Sequence, residues 1–316
     1  MPARMLRTQS DREPAFFTET MKDIGEFAFI QRLIGTEENV HGVIKGIGDD
    51  AAVLDSPGND VLLLTTDMLV EGAHFLRTTM SPQEIGRKAL ACSVSDIAAM
   101  GGSPTFAVIS VAAPSNITTE FLLGVNEGVK TLAEECGVAV VGGDMTAHSR
   151  VVINVALLGR VEKDRVVYRR GAKRGDRIFV TGPLGNSFET KKHIYFQPRV
   201  EEARFLVSEV GPSAMIDISD GLAGDLGHIM SAGKCGALLN EEAVPCADGA
   251  DLVRALHDGE DFELLFTVSE KAADIVRQQT RFRFYELGHM TSGKNLLLED
   301  KKGRRHRIVP KGYEHF

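Results

Sequence analysis

Short apolar runs that hand over to an aspartate are the feature of this chain that most restricts its fold. Leu62-Leu63-Leu64 leads into Thr65-Thr66-Asp67, residues 138–141 into Gly142-Gly143-Asp144, and Ala214-Met215-Ile216 into Asp217-Ile218-Ser219-Asp220-Gly221. Apolar runs of this length read as buried strands. Acids just past strand ends in α/β domains fall where ligands commonly bind. Aspartate also favours turns and helix caps, and for Asp220, ahead of a helix-like segment, capping is a rival reading.

Helical patterns separate these runs. Ser81-Pro82-Gln83-Glu84 has the form of a capping box with proline at the first helical position, opening a helix that Gly101-Gly102 stops. Phe121, Val125, Val129, Leu132 and Cys136 share one side of a helix over 119–136, which Gly137 is placed to end. Strands are predicted over 61–64, 106–112, 138–141, 151–158, 178–181, 214–216 and 262–268, and further helices over 26–33, 200–210 and 221–232. A basic connector over 160–177 divides the chain. The expected organisation is a flexible extension over 1–22, an N-terminal domain over 23–160 and a C-terminal domain over 161–316, each of mixed α/β type.

A content of 43% hydrophobic and 25% charged residues is that of a soluble globular protein, and a formal charge of −8 argues against nucleic acid or an acidic membrane as partner. The longest uncharged run, 97–119, is interrupted by Gly101-Gly102, Pro104 and Pro114, so no membrane span is expected. No signal peptide is legible, and Cys92, Cys136, Cys235 and Cys246 form no paired motif. A cytoplasmic location with packing cysteines follows as an expectation.

Asp96 falls on the apolar face Ile85, Ala89, Cys92, Asp96, Ala99 of the helix from Ser81. A buried carboxylate needs a cation or hydrogen-bond donors. Lys88 lies too far along the helix for a simple partner, which leaves a metal or a structural hydrogen bond to a neighbouring loop. Many oxygen ligands without a Cys/His cluster suit a hard cation such as Mg2+, held by carboxylates, water and phosphate. Gly46, Gly48, Gly142, Gly143 and Gly221 stand beside the acids and would let backbone approach phosphate, with Arg169 and Arg170 as counter-charge. The P-loop, protein-kinase and dinucleotide fingerprints are absent. His74, in Glu71-Gly72-Ala73-His74-Phe75, is a lone histidine of the kind that is usually structural.

Taken in order, these segments resemble the thiamine-monophosphate kinase family. The resemblance rests on Gly46-Ile47-Gly48-Asp49-Asp50, Thr65-Thr66-Asp67 with Gly72-Ala73-His74-Phe75, Lys88-Ala89-Leu90 leading to Ser95-Asp96-Ile97, and Gly142-Gly143-Asp144. It continues through Arg169-Arg170-Gly171, Asp217-Ile218-Ser219-Asp220-Gly221, Gly259-Glu260-Asp261-Phe262-Glu263 and the closing Lys311-Gly312-Tyr313-Glu314-His315-Phe316.

The resemblance implies a two-domain PurM-like α/β (α+β) fold, shared with aminoimidazole ribonucleotide synthetase, in a homodimer whose N-terminal sheets pair. It implies ATP-dependent phosphorylation of thiamine monophosphate to thiamine diphosphate, with several Mg2+ ions. Asp50, Thr65, Thr66, Asp67, Asp96, Asp144, Asp217 and Asp220 match metal positions; Gly143, Asp144, Arg169 and Ser219 match nucleotide contacts; His74, Glu260, Tyr313 and Phe316 match the thiamine-phosphate side. Asp67, Asp144 and Arg169 would carry the catalysis, and Asp50 rather than Asp49 would be the direct ligand. Asn126 stands where relatives often carry a tyrosine near the nucleotide, and the first 22 residues have no counterpart. Two other readings compete: another ATP-dependent enzyme of this fold, and a non-catalytic nucleotide-binding dimer. No terminal cysteine and no cysteine in an N-terminal glycine-rich loop speak against the hydrogenase-maturation protein and selenophosphate synthetase, which the resemblance places in the same fold.

Overall fold

The computed structural model describes residues 20–34 and 40–312. The expected extension lies largely outside them, as do Tyr313 and Phe316.

The first half runs α1 (Met21–Ile24), α2 (Glu26–Leu33), β1 (Val43–Lys45), β2 (Ala52–Leu54), β3 (Asp60–Val70), α3 (Pro82–Ala99), β4 (Ser103–Ala113), α4 (Thr119–Cys136), β5 (Ala139–Ala147) and β6 (Val152–Glu162). Its six strands lie in the order β1-β2-β3-β6-β4-β5, with only β4–β5 parallel. Helices α3 and α4 cross closely where glycines remove side chains. A Cβ on Gly86 would stand 1.9 Å from the Val125 carbonyl oxygen, and one on Gly128 1.9 Å from that of Gln83. The capping box at Ser81 forms as expected, with Glu84 N–H donating to Ser81 Oγ and Ser81 N–H to the Glu84 carboxylate. Gly137, in the left-handed region, ends α4.

The second half continues β7 (Arg177–Val180), α5 (Lys192–Tyr195), α6 (Val200–Phe205), β8 (Ala214–Asp217), α7 (Leu222–Gly233), β9 (Gly236–Asn240), α8 (Leu252–His257), β10 (Leu264–Val268), α9 (Glu270–Gln278), β11 (Tyr285–Thr291), β12 (Leu296–Glu299) and β13 (Arg305–Ile308). The strands order as β13-β12-β9-β11-β7-β10-β8. One core joins α7 and α8 to this sheet, and another sets Phe179, Leu264 and Phe266 against α6 and α9.

Helix α3 belongs to both halves. Ile85, Leu90, Val94 and Ile97 enter the first core, whereas Ala98 and Ala99 enter the second with Val207 and Phe266. It is buried on all sides, which explains its near-continuous small and apolar sequence. Among the described residues, no helix covers the opposite face of the first sheet. Leu64, Met68, Phe106 and Val108 are exposed there, and edge strand β5 is exposed at every residue.

Several expectations need correction. The strand expected over 61–64 extends to Val70, and the one over 138–141 extends to Ala147, so Asp67 and Asp144 sit inside strands. Pairing continues through the polar residues, with Asp67 opposite Val155 and Asp144 opposite Ser110. Backbone hydrogen bonding and β-branched threonines sustain a strand after its apolar run has ended. The strand expected from residue 262 starts at Leu264, because Glu260 and Phe262 adopt φ of 61° and 50°. The helix over 200–210 loosens into a π turn at Leu206–Val210. Cys246 is exposed rather than packed.

Candidate active site

Alternation along β3 sorts its side chains. Val61, Leu63, Thr65 and Leu69 face the helices, and Thr66 and Met68 face away. Thr65 donates its hydroxyl to Asp96 on α3 at 2.5 Å, whereas Thr66 bonds Asn154 on the other face at 3.2 Å. Asp96 therefore points inward, as its helical position predicts, and the Thr65 hydroxyl is one structural partner.

Three acids converge there. Oxygens of Asp50, Asp96 and Asp217 lie within 4.8 Å of one another, although they come from the loop before β2, the end of α3 and the end of β8. Asp67 adjoins the group. Burial drives the Asp67 and Asp96 carboxyls above the usual carboxylate range, and for Asp96 the neighbouring Asp67 adds to it. Burial, with Asp50 nearby, pushes Asp217 up to about 7. Ser95 donates to Asp217 at 2.6 Å.

Arg169 is the cation of the cluster. Its Nη2 donates to Asp50 Oδ1 at 2.6 Å and its Nε to the same oxygen at 3.2 Å. Its backbone N–H donates to Asp49 at 2.7 Å, with Lys45 3.6 Å away from that carboxylate. The adjacent acids are thus divided: Asp49 anchors the Arg169 backbone, and Asp50 faces the cluster.

One guanidinium does not complete the cluster. Asp50 Oδ2 and Asp67 Oδ2 are buried without a hydrogen-bond partner. Orphaned carboxylate oxygens in a group of crowded acids fit a hard, oxygen-seeking cation, and this donor set suits Mg2+.

Asp220 stands apart, grouped with Asp225 and His228. It does not cap α7, whose N-cap is Gly221 without a side-chain bond. Burial raises the Asp225 carboxyl well above its usual range, with Asp220 adding to it, and burial lowers His228 to about 4.

Beside the acids lies a cavity of about 420 Å3, lined by Asp67, His74, Phe188, Ser219, Asp220 and Glu260 among others. His74 Nδ1 accepts the Val70 N–H at 2.9 Å, which places the proton of the neutral ring on Nε2. Glu260 receives Lys88 Nζ on both carboxylate oxygens, at 2.7 and 2.8 Å. The sequence reading missed this pair, although Lys88 follows Ile85 by three positions and so shares its buried face. Phe188 and the partner role of Ser95 carried no sequence signal.

Gly143 and Asp144 lie on β5, lining a separate groove with Asn126 of α4. Asp67 pairs with Val155, Val155 with Ile109, and Ile109 with Gly143. Three strand spacings put Asp144 about 14 Å from Asp67.

Residues 48–161 match the AIR synthase related protein family's N-terminal domain, and residues 140–301 its C-terminal domain. Thiamine-monophosphate kinase of Rhodopirellula baltica is 35% identical over 92% of this chain and 97% of its own length. That of Bacillus subtilis is 32% identical over 92% of this chain and 99% of its own. The solved structure of AaThiL complexed with AMPPCP and TMP superimposes with a TM-score of 0.84 at 31% identity, covering 95% of this chain and all (100%) of that one.

Proposed function

The chain belongs to the thiamine-monophosphate kinase family, and on that premise we propose that it moves the γ-phosphoryl group of ATP in line onto the phosphate of thiamine monophosphate, giving thiamine diphosphate and ADP. The observation that carries this reading is the meeting of Asp50, Asp96 and Asp217, two orphaned carboxylate oxygens and the Arg169 guanidinium at the edge of the cavity holding His74 and Glu260.

The acceptor oxygen is already anionic near neutral pH, so no strong general base is required, and two anions must be brought together. Asp50, Thr65, Asp67, Asp96 and Asp217 would hold Mg2+. When bound, the metal would supply the positive charge that offsets the charge of the phosphates. Arg169 adds a fixed positive charge and keeps Asp50 oriented. Gly143 and Asp144 would take the nucleotide from the β5 side, with Ser219 on the other. His74, as an Nε2–H donor, and Glu260, as an anion facing a cationic thiazolium or an aminopyrimidine, would orient the acceptor. The dimer would form through the bare sheet face with Leu64, Met68, Phe106 and Val108.

Protein incubated with ATP, Mg2+ and thiamine monophosphate is expected to yield thiamine diphosphate and ADP in equal amounts, read by chromatography. ATP binding with no thiamine diphosphate formed would favour the non-catalytic dimer instead.

A further inference from the structure

Lys88 sits in the middle of α3 and is fully buried. An ammonium carries three N–H donors, and this one has three acceptors: the His74 carbonyl at 3.0 Å and the two Glu260 oxygens at 2.8 and 2.7 Å. No donor remains for a ligand, so Lys88 can act on substrate only through its partners.

Those partners come from different halves of the chain, and both line the cavity beside the acids. Glu260 holds φ at 61°, a left-handed conformation that glutamate rarely adopts. Such backbone persists where its surroundings over-determine it, and here they do. Glu260 N–H donates to the Ser219 carbonyl at 2.7 Å, and Phe262 N–H to that of Ile218 at 2.7 Å. Asp261 and Glu263, on either side of Phe262, are buried and paired with Lys192, and Glu263 also takes both arms of Arg199. The backbone under Glu260 is thus fixed by the second half, and its carboxylate is fixed by a helix of the first.

A core of this kind does not need a cation for stability, since apolar side chains of similar volume often replace buried ion pairs without loss. A charge is useful there if a carboxylate must stay ionised and aimed.

We infer that Lys88 is the positioning residue of the acceptor side: its ammonium locks the Glu260 carboxylate against the His74 carbonyl and so sets the width of the cavity that takes the thiamine phosphate. The inference rests on the kinase reading above.

The test is steady-state kinetics of Lys88→Met, varying each substrate in turn. Loss of a positioned charged hydrogen-bond group predicts KM for thiamine monophosphate raised about tenfold or more. KM for MgATP stays within about twofold, and kcat at saturation changes little, the pattern of lost uniform binding. Should Lys88→Met not fold, Lys88→Arg is read the same way. Its charge is kept, but a planar fork does not seat both Glu260 oxygens and the His74 carbonyl as one ammonium does, and a selective rise of about threefold or more is expected. An unchanged KM for thiamine monophosphate, or equal rises for both substrates, overturns the inference while leaving the kinase reading intact. Failure of the wild-type protein to form thiamine diphosphate overturns both.

Discussion

Ser95 on α3 donates its hydroxyl to Asp217 on β8 at 2.6 Å, and this bond joins the two halves of the chain inside the acid cluster. Groups that orient metal ligands typically change metal affinity about 10–100-fold when removed. Ser95→Ala is expected to shift the Mg2+ dependence of activity upward by about that factor, with kcat at saturating Mg2+ nearly restored. An unshifted Mg2+ titration would take Asp217 out of the ligand set.

Asp67→Asn and Asp144→Asn are each expected to lower turnover by about two orders of magnitude or more, with far-UV circular dichroism unchanged. Wild-type kinetics at saturating Mg2+ would dismiss the metal assignment in the case of Asp67→Asn and the nucleotide role in the case of Asp144→Asn. The two probe different places, the cavity edge and the β5 groove about 14 Å away across the sheet.

Stability of the metal-free protein should depend on pH through Asp217, whose folded value is raised to about 7 from 3.8. A carboxyl raised in the folded state binds its proton more tightly there than in the unfolded chain. Its stabilising effect is complete below about 4 and is lost as pH rises through about 7. His228, lowered from 6.5 to about 4, works in the opposite direction over most of that window, between about pH 4 and 6.5. The comparison is therefore with Asp217→Asn. In chelator, wild-type protein should lose more stability than the variant between pH 4 and pH 7, by urea denaturation. Parallel curves would show that Asp217 does not carry the strain.

Gly86→Ala places a methyl group 1.9 Å from the Val125 carbonyl oxygen, a backbone atom that only a shift of α4 can relieve. Overpacking of this kind costs about 1–3 kcal/mol. The expected result is that loss in urea melts, and a variant as stable as wild type would mean that the helix crossing is looser than the structure has it.

Val108→Glu puts a charge on the bare face of the first sheet. If that face pairs two copies, sedimentation should change from dimer to monomer. A dimer that survives would place the interface elsewhere.

The long elements were legible because each had both a pattern and punctuation. Ser81, Pro82 and Glu84 announced α3, and Gly137 closed α4. Among the short strands, β7, β8 and β10 showed as apolar runs, whereas β1, β2, β9 and β12 were missed because a few residues carry no period. At the site, Asp96 could be placed by helical spacing alone. Its meeting with Asp50 and Asp217 could not, since they are brought together from remote parts of the chain. Lys88 was set aside as too far along the helix to pair with Asp96, and local spacing says nothing about Glu260, 172 residues away.

Helix α3 also ties the molecule to the timing of its own synthesis. Its end, with Ala98 and Ala99, finds cover only against Val207, Phe266 and their neighbours. At the usual pace of translation the chain between them takes on the order of ten seconds to emerge. During that interval one flank of α3 is bare and Lys88 lacks its carboxylate. The first half is therefore a poor candidate for early, independent folding, and a fragment ending at residue 162 should need a chaperone or aggregate.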